Sequence, residues 1–206
     1  MHLKKTIIYI DGQNIHHGLE DALGIDSRYL NFRKFCEEKI ACAAHGKEIV
    51  AIKYYSAKYP QERDPVKHGR DADFFRMLEE VQNIRVIEGK FRVPQDKSLP
   101  PVEKGVDVRL ATDLIFDAFL GGYEVAYILS ADTDLVPAIK QIKGNVNFKK
   151  LEIHNFAFKK LNDFIHSCDY VGMIYPNVIK KYHDPKNFAA TSTGMAHLAA
   201  KFNSKK

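Results

Sequence analysis

Four short segments of this chain set a carboxylate at or beside the end of an apolar run. Ile7-Ile8-Tyr9-Ile10 runs into Asp11-Gly12-Gln13-Asn14, and Ala126-Tyr127-Ile128-Leu129 runs into Ser130-Ala131-Asp132. Thr133-Asp134 adjoins the latter, and Lys104-Gly105-Val106-Asp107 opens another apolar stretch. Strands that end in Asp at the carboxyl edge of an α/β sheet put those acids where such folds bind ligands. Several carboxylates cannot share a small site fully ionised without a cation or a raised pKa. The pattern therefore points to a divalent-metal site that handles phosphate esters.

The rest of the chain fits such a sheet. Strand-like runs are expected at residues 6–10, 49–57, 84–93, 124–129, 151–156 and 171–174. Helices are expected from residue 14 to a break near Gly24, from Asn31 as an N-cap to His45-Gly46, and over 71–82, 105–120, 134–143 and 159–167. Residues 58–70 and 94–104 read as proline-containing loops. Alternating strands and helices predict a largely parallel sheet covered on both faces. The rhythm is lost after His183. One domain over 1–176 is expected, with 177–206 a C-terminal extension, flexible or carrying a short amphipathic helix over 194–202.

Composition narrows the function. The 206 residues are 45% hydrophobic, enough for a real core, yet no run approaches the roughly 18 apolar residues of a membrane span. The N-terminal run is too short for a signal sequence, so a cytoplasmic protein is expected. Three cysteines with no C-x-x-C spacing argue against a disulfide framework or structural zinc. The formal charge of +5 favours an anionic partner. No G-x-G-x-x-G, G-x-x-x-x-G-K or G-x-S-x-G motif is present, which disfavours dinucleotide binding, Walker-type hydrolysis and serine hydrolysis.

Each acid also has a plainer reading. At about 100° per residue, Asp107 falls on one stripe with Leu110, Ala111, Leu114 and Ala118, so it is either a first-turn acid of a buried face or a site residue. Asp113 lies about 120° round, lining the site edge or facing water. Asp134 serves as an N-cap or, with Asp132, as an oxygen donor. Ser130 is placed either to bond a ligand or to cap the turn. Asp11-Gly12 is a turn or a site, and Asn14 caps a helix or orients the Asp11 carboxylate.

The chain resembles the NYN domain proteins, a branch of the PIN-like nuclease superfamily. The match rests on Tyr9-Ile10-Asp11-Gly12-Gln13-Asn14, Lys104-Gly105-Val106-Asp107 with Leu110-Ala111-Thr112-Asp113, and Leu129-Ser130-Ala131-Asp132-Thr133-Asp134-Leu135. Their order, their spacing and the layout from about Lys5 to Ile174 agree. The family often has Gly where this chain has Ala131, a departure that tightens the pocket without abolishing it. The resemblance implies a PIN-like three-layer α/β/α sandwich and a metal-dependent ribonuclease site. Asp11, Asp107, Asp132 and Asp134 would be the acids, with Asn14 as polar support.

A nuclease must also hold its substrate. Lys53, Lys58, Arg63, Lys67, His68 and Arg70 interleave with Tyr54, Tyr55 and Tyr59. Cations track phosphates and aromatic faces stack on unpaired bases. Arg63, Lys67 and Arg70, with Lys104 and Ser130, are the expected substrate contacts; Lys97 and Arg109 extend the surface.

The reading is thus a catalytic set of Asp11, Asn14, Asp107, Asp132 and Asp134 that hydrolyses phosphodiesters in RNA, or in single-stranded DNA. The four aspartates hold one or two Mg²⁺ or Mn²⁺ ions, whose hard-cation chemistry suits oxygen-only ligands. One alternative is a weakly active or inactive RNA-binding protein with the same fold. A pure binder, however, has no reason to gather anions beside phosphates. Another is a phosphatase with Asp11 or Asp132 as nucleophile.

Overall fold

A computed structural model describes residues 2–41, 46–158 and 162–184. Six parallel strands form the central sheet: β1 (Lys4–Asp11), β2 (Lys47–Ser56), β3 (Ile84–Glu88), β6 (Val125–Leu129), β7 (Glu152–Ala157) and β8 (Tyr170–Met173). Their order is β3-β2-β1-β6-β7-β8. The chain winds outward from β1 through β2 to β3, then restarts at β6 and winds the other way. The reversal falls between β1 and β6, where open α/β sheets bind ligands beyond their carboxyl ends.

Both faces of the sheet are buried, which explains why its central strands are apolar throughout. Side chains alternate across the pleat. On one face Ile8 and Ile10 pack against α1 (Gly12–Leu23), α2 (Phe32–Phe35) and α3 (Pro65–Glu79). On the other, Ile7 and Tyr9 pack against α4 (Val106–Phe119), α5 (Val136–Lys143) and α6 (Asn162–Ile165). The result is the expected three-layer α/β/α sandwich. Among the described residues no helix is long and apolar enough to cross a membrane.

Several boundaries differ from the sequence reading. The expected loop over 58–70 is helical from Pro65, because Asp64 caps the Lys67 N–H and proline suits the first helical turn. The expected strand over 84–93 breaks at Gly89. A Cβ there would lie 2.4 Å from a methyl of Val106, so the chain can pass only without a side chain. Beyond it, β4 (Lys90–Arg92) turns away and pairs antiparallel with β5 (Val102–Lys104), inside the expected second loop. The buried stripe of α4 is Val106, Leu110, Leu114 and Ala118, which places Asp107 one step further round, exposed.

Packing continues past residue 176. Helix α7 (Pro176–Ile179) and the turn after it bury Ile179 and Tyr182 in the core. The Asn31 N–H donates to the Tyr182 carbonyl at 2.9 Å, and the Asp184 N–H to that of Tyr29 at 2.7 Å. The helix expected over 194–202 lies outside the described residues.

Candidate functional site

Asp11 ends β1 and Ser130 follows β6, and the register pairs Ile10 with Leu129, so the two residues meet at the sheet's carboxyl edge. Both are buried, at 4% and 0% exposure. The Ser130 hydroxyl donates to Asp11 Oδ2 at 2.8 Å and accepts the Asp132 N–H at 3.0 Å. The Asn14 N–H donates to Asp11 Oδ1 at 3.0 Å, while Asn14 Oδ1 accepts the Ala131 N–H at 2.9 Å. Asn14 therefore ties the turn after β6 to the first turn of α1. Ser130 caps its own turn and also orients Asp11.

Glycine at position 12 is required here. It is the first residue of α1, and a Cβ would lie 2.6 Å from the ring of Tyr54. The close approach sets the helix directly on the strand end and brings the Asn14 N–H of its first turn to the Asp11 carboxylate.

A cavity of about 660 Å³ opens above this edge. Asp11, Asn14, Glu103, Asp107, Ala131 and Asp132 are among the residues that line it. Burial pushes the Asp11 carboxyl up to about 6; its two hydrogen bonds oppose that, and the charges of Asp107 and Asp132 add to it. Asp107 is raised by partial burial and by Asp132 and Asp134. Asp134 is exposed and stands outside the lining; its N–H donates to Asp132 Oδ1 at 2.9 Å, so Asp132 caps the turn Thr133–Leu135.

Glu103 did not stand out in the sequence. It projects from the short strand β5, accepts from Gln13 Nε2 at 3.0 Å, and is pushed up to about 7 by burial and then by the charges of Asp11 and Asp107. Its only signal would have been the pairing of residues 90–92 with 102–104, strands too short to stand out by alternation.

Asp113 neither lines the cavity nor faces open water. It accepts from the Tyr55 hydroxyl at 2.8 Å and lies 3.6 Å from Lys53 Nζ, which pairs with Asp117 at 2.6 Å. The basic segment is likewise engaged with the protein. Lys58 pairs with Glu88, and Arg63 donates to the carbonyls of Pro94, Asp96 and Lys97. Arg63 thus clamps the tip of the β4–β5 hairpin, which departs from its expected phosphate contact. Tyr54 and Tyr55 are buried; Tyr59 is half-buried with the Lys67 ammonium 4.0 Å from its ring centre. Arg70 is half-buried on α3, and Lys104 is exposed at the end of β5.

Residues 5–174 match the family model of the NYN domain. The chain belongs to the NYN domain family. NYN domains are PIN-like nucleases. Similarity extends to the 6-hydroxy-3-succinoylpyridine 3-monooxygenase HspA of Pseudomonas putida (strain DSM 28022 / S16), 25% identical over 70% of this chain and 57% of that protein. The chain thus spans little more than half that relative's length. A crystal structure of a protein of unknown function from Vibrio parahaemolyticus RIMD 2210633 has the same fold, with a TM-score of 0.62, 19% identity, and coverage of 84% of this chain and 94% of that one.

Among the described residues, no three His, Cys, Asp or Glu side chains stand close enough to hold a metal ion by themselves. The acids that line this NYN domain's cavity, Asp11, Asp21, Glu103, Asp107 and Asp132, nevertheless offer hard oxygens, beside the imidazole of His17. Mg²⁺ keeps several waters and takes one or two carboxylates together with substrate oxygens, a demand that Asp11, Asp107 and Asp132 can meet. Mutual repulsion among these acids is the second fit, since a cation relieves it.

Proposed function

We propose that this NYN domain hydrolyses phosphodiester bonds in single-stranded RNA at the cavity over the carboxyl ends of β1 and β6. The observation that carries the reading is the gathering of Asp11, Asp107 and Asp132 on one cavity at the switch point of the sheet. A protein that only bound an anionic polymer would gain nothing from three carboxylates there. Family membership adds the nuclease class.

Asp11, Asp107 and Asp132 are the residues that would hold a divalent cation, with Asp134 supporting the charge from the rim. Such an ion, when bound, would stabilise the charge that develops on the phosphate and favour ionisation of the attacking water. Ser130 and the Asn14 N–H hold Asp11 in one orientation, and Asn14 fixes the turn that carries Asp132. Preset geometry of this kind lowers the cost of reaching the transition state. Water adds across a P–O bond, leaving one phosphomonoester end and one hydroxyl end, with no protein nucleophile.

The test is cleavage of single-stranded RNA, single-stranded DNA and a small phosphomonoester, each with Mg²⁺, with Mn²⁺ and with chelator. Metal-dependent cleavage of RNA supports the reading. Activity on the monoester alone, with a trapped phospho-enzyme, would support the phosphatase instead. A second reading follows from the monooxygenase name of the Pseudomonas relative. Oxygen uptake with 6-hydroxy-3-succinoylpyridine and a two-electron donor such as NADH, absent without protein, would favour it.

A further inference from the structure

A second cavity, of about 520 Å³, lies beside the first, on the far side of a wall made by Gln13 and Glu103. Both of these residues, with His17 and Val102, line both cavities, so a ligand spanning the wall would touch the two spaces at once. The volume falls within the roughly 300–1,000 Å³ of small-molecule sites. Its walls come from α1, α3, the end of β2 and the β4–β5 hairpin.

The mouth is aromatic and its backbone is held. Tyr59 and Phe91 meet in a tilted contact, with centroids 5.6 Å apart and planes at 58°. The Tyr59 N–H donates to Asp71 at 2.9 Å, and its carbonyl accepts from His68 Nδ1 at 2.7 Å, so the ring stands on a backbone fixed at both ends. Phe91 is carried by the hairpin whose tip Arg63 clamps. The Lys67 ammonium sits over one face of Tyr59 at 4.0 Å. Deeper in, Arg28 is held by Asp26, with Nη2 2.6 Å from Oδ2, and lies 3.4 Å from Asp71. A preset aromatic face, a cation beside it and a floor of donors and acceptors match a nucleotide: base, phosphate and base edge in turn.

We propose that this cavity is the subsite for the nucleotide next to the scissile bond, its base against Phe91 and Tyr59 and its phosphate near Lys67. The assignment rests on the nuclease reading of the adjoining acids. A strand laid across the acids has to continue somewhere, and the shared wall leads here. A base gains from stacking whatever its identity, so the subsite is tolerant of sequence.

The probe is a uridine trinucleotide, titrated calorimetrically into the full chain in chelator, so that no cleavage intervenes. Its counterpart lacks the middle base. We expect Phe91→Ala to weaken binding of the intact trinucleotide about tenfold, as the loss of one base stack does. Phe91→Tyr restores it, and Phe91→Leu, which keeps apolar bulk but no ring, does not. The abasic counterpart binds wild type and Phe91→Ala alike. Equal affinity of wild type and Phe91→Ala for the intact trinucleotide would overturn the subsite. So would a loss that is the same with and without the base, or no binding to wild type. The nuclease reading fails separately, through RNA cleavage that persists in Asp11→Asn, and that result would leave the stacking measurement standing.

Discussion

The Ser130 hydroxyl donates to Asp11 Oδ2 at 2.8 Å across the gap between β6 and β1. This bond joins the two strands at the point where the sheet reverses direction, and it holds a buried carboxylate towards the cavity. Ser130→Ala removes it and also the acceptor for the Asp132 N–H. Loss of a buried hydrogen bond with one partner left behind costs about 1–3 kcal/mol. We expect a lower Tm and a fall in the maximal cleavage rate larger than the change in KM, since orientation of the acid is what suffers. Thermal melts and steady-state kinetics on one RNA substrate check this.

The same burial makes Asp11 a source of instability when no metal is bound. Its folded pKa of about 6 lies above the ordinary 3.8. The folded state therefore binds the proton more tightly. The corresponding stability is fully present below pH 3.8 and is lost as pH rises through 6. The difference corresponds to about 3 kcal/mol at neutral pH. Metal-free protein should lose Tm between pH 4.5 and 7.5, and Asp11→Asn should lose less across the same window. Glu103, raised to about 7, acts in the same direction, so Glu103→Gln should also flatten the curve. Melting curves in chelator at several pH values decide it.

Divalent ions should reverse that penalty. A ligand that binds only the native state stabilises by about 2.7 kcal/mol at a hundredfold Kd. Mn²⁺ is expected to raise the Tm of wild type more than that of Asp107→Asn, whose side chain lines the cavity. Equal shifts in the two would remove Asp107 from the ligand set.

The basic segment separates into two effects. Lys67 is exposed, and Lys67→Ala should flatten the salt dependence of single-strand binding by about 0.7 in log–log slope, as one lost phosphate contact does. Arg63→Ala should leave that slope unchanged and destabilise the fold by about 1–2 kcal/mol, because its guanidinium bonds three hairpin carbonyls. A salt titration of RNA binding on the Asp11→Asn background, together with urea melts, distinguishes the two.

The strands with their terminal acids were readable because both faces of the sheet are buried and each run stops at a polar turn. Asp11, Asn14 and Asp132 could be placed from that pattern; the Asn14 side chain proved to bond the turn before Asp132, while the cap of α1 is Asp11, whose carboxylate accepts the Asn14 N–H. Glu103 could not, since it depends on a three-residue pairing across a long loop. Asp113 misled for the same kind of reason: helical spacing gave its angle but not the Tyr55 and Lys53 partners that reach it from β2. The start of α3 was readable in principle, because Asp64-Pro65 is a helix-start signal. The cations of residues 53–63 had a local charge pattern but nonlocal partners, which spacing cannot reveal.

The most direct test of the account is manganese-dependent cleavage of single-stranded RNA, above pH 7, by wild type and by Asp11→Asn, both verified as folded by melting. Asp11 is the most buried acid of the cavity, and the substitution keeps its shape while removing its charge. The account predicts cleavage by wild type and a loss of at least a hundredfold in the variant, about 2.7 kcal/mol of transition-state stabilisation. Cleavage at the wild-type rate by folded Asp11→Asn would contradict it.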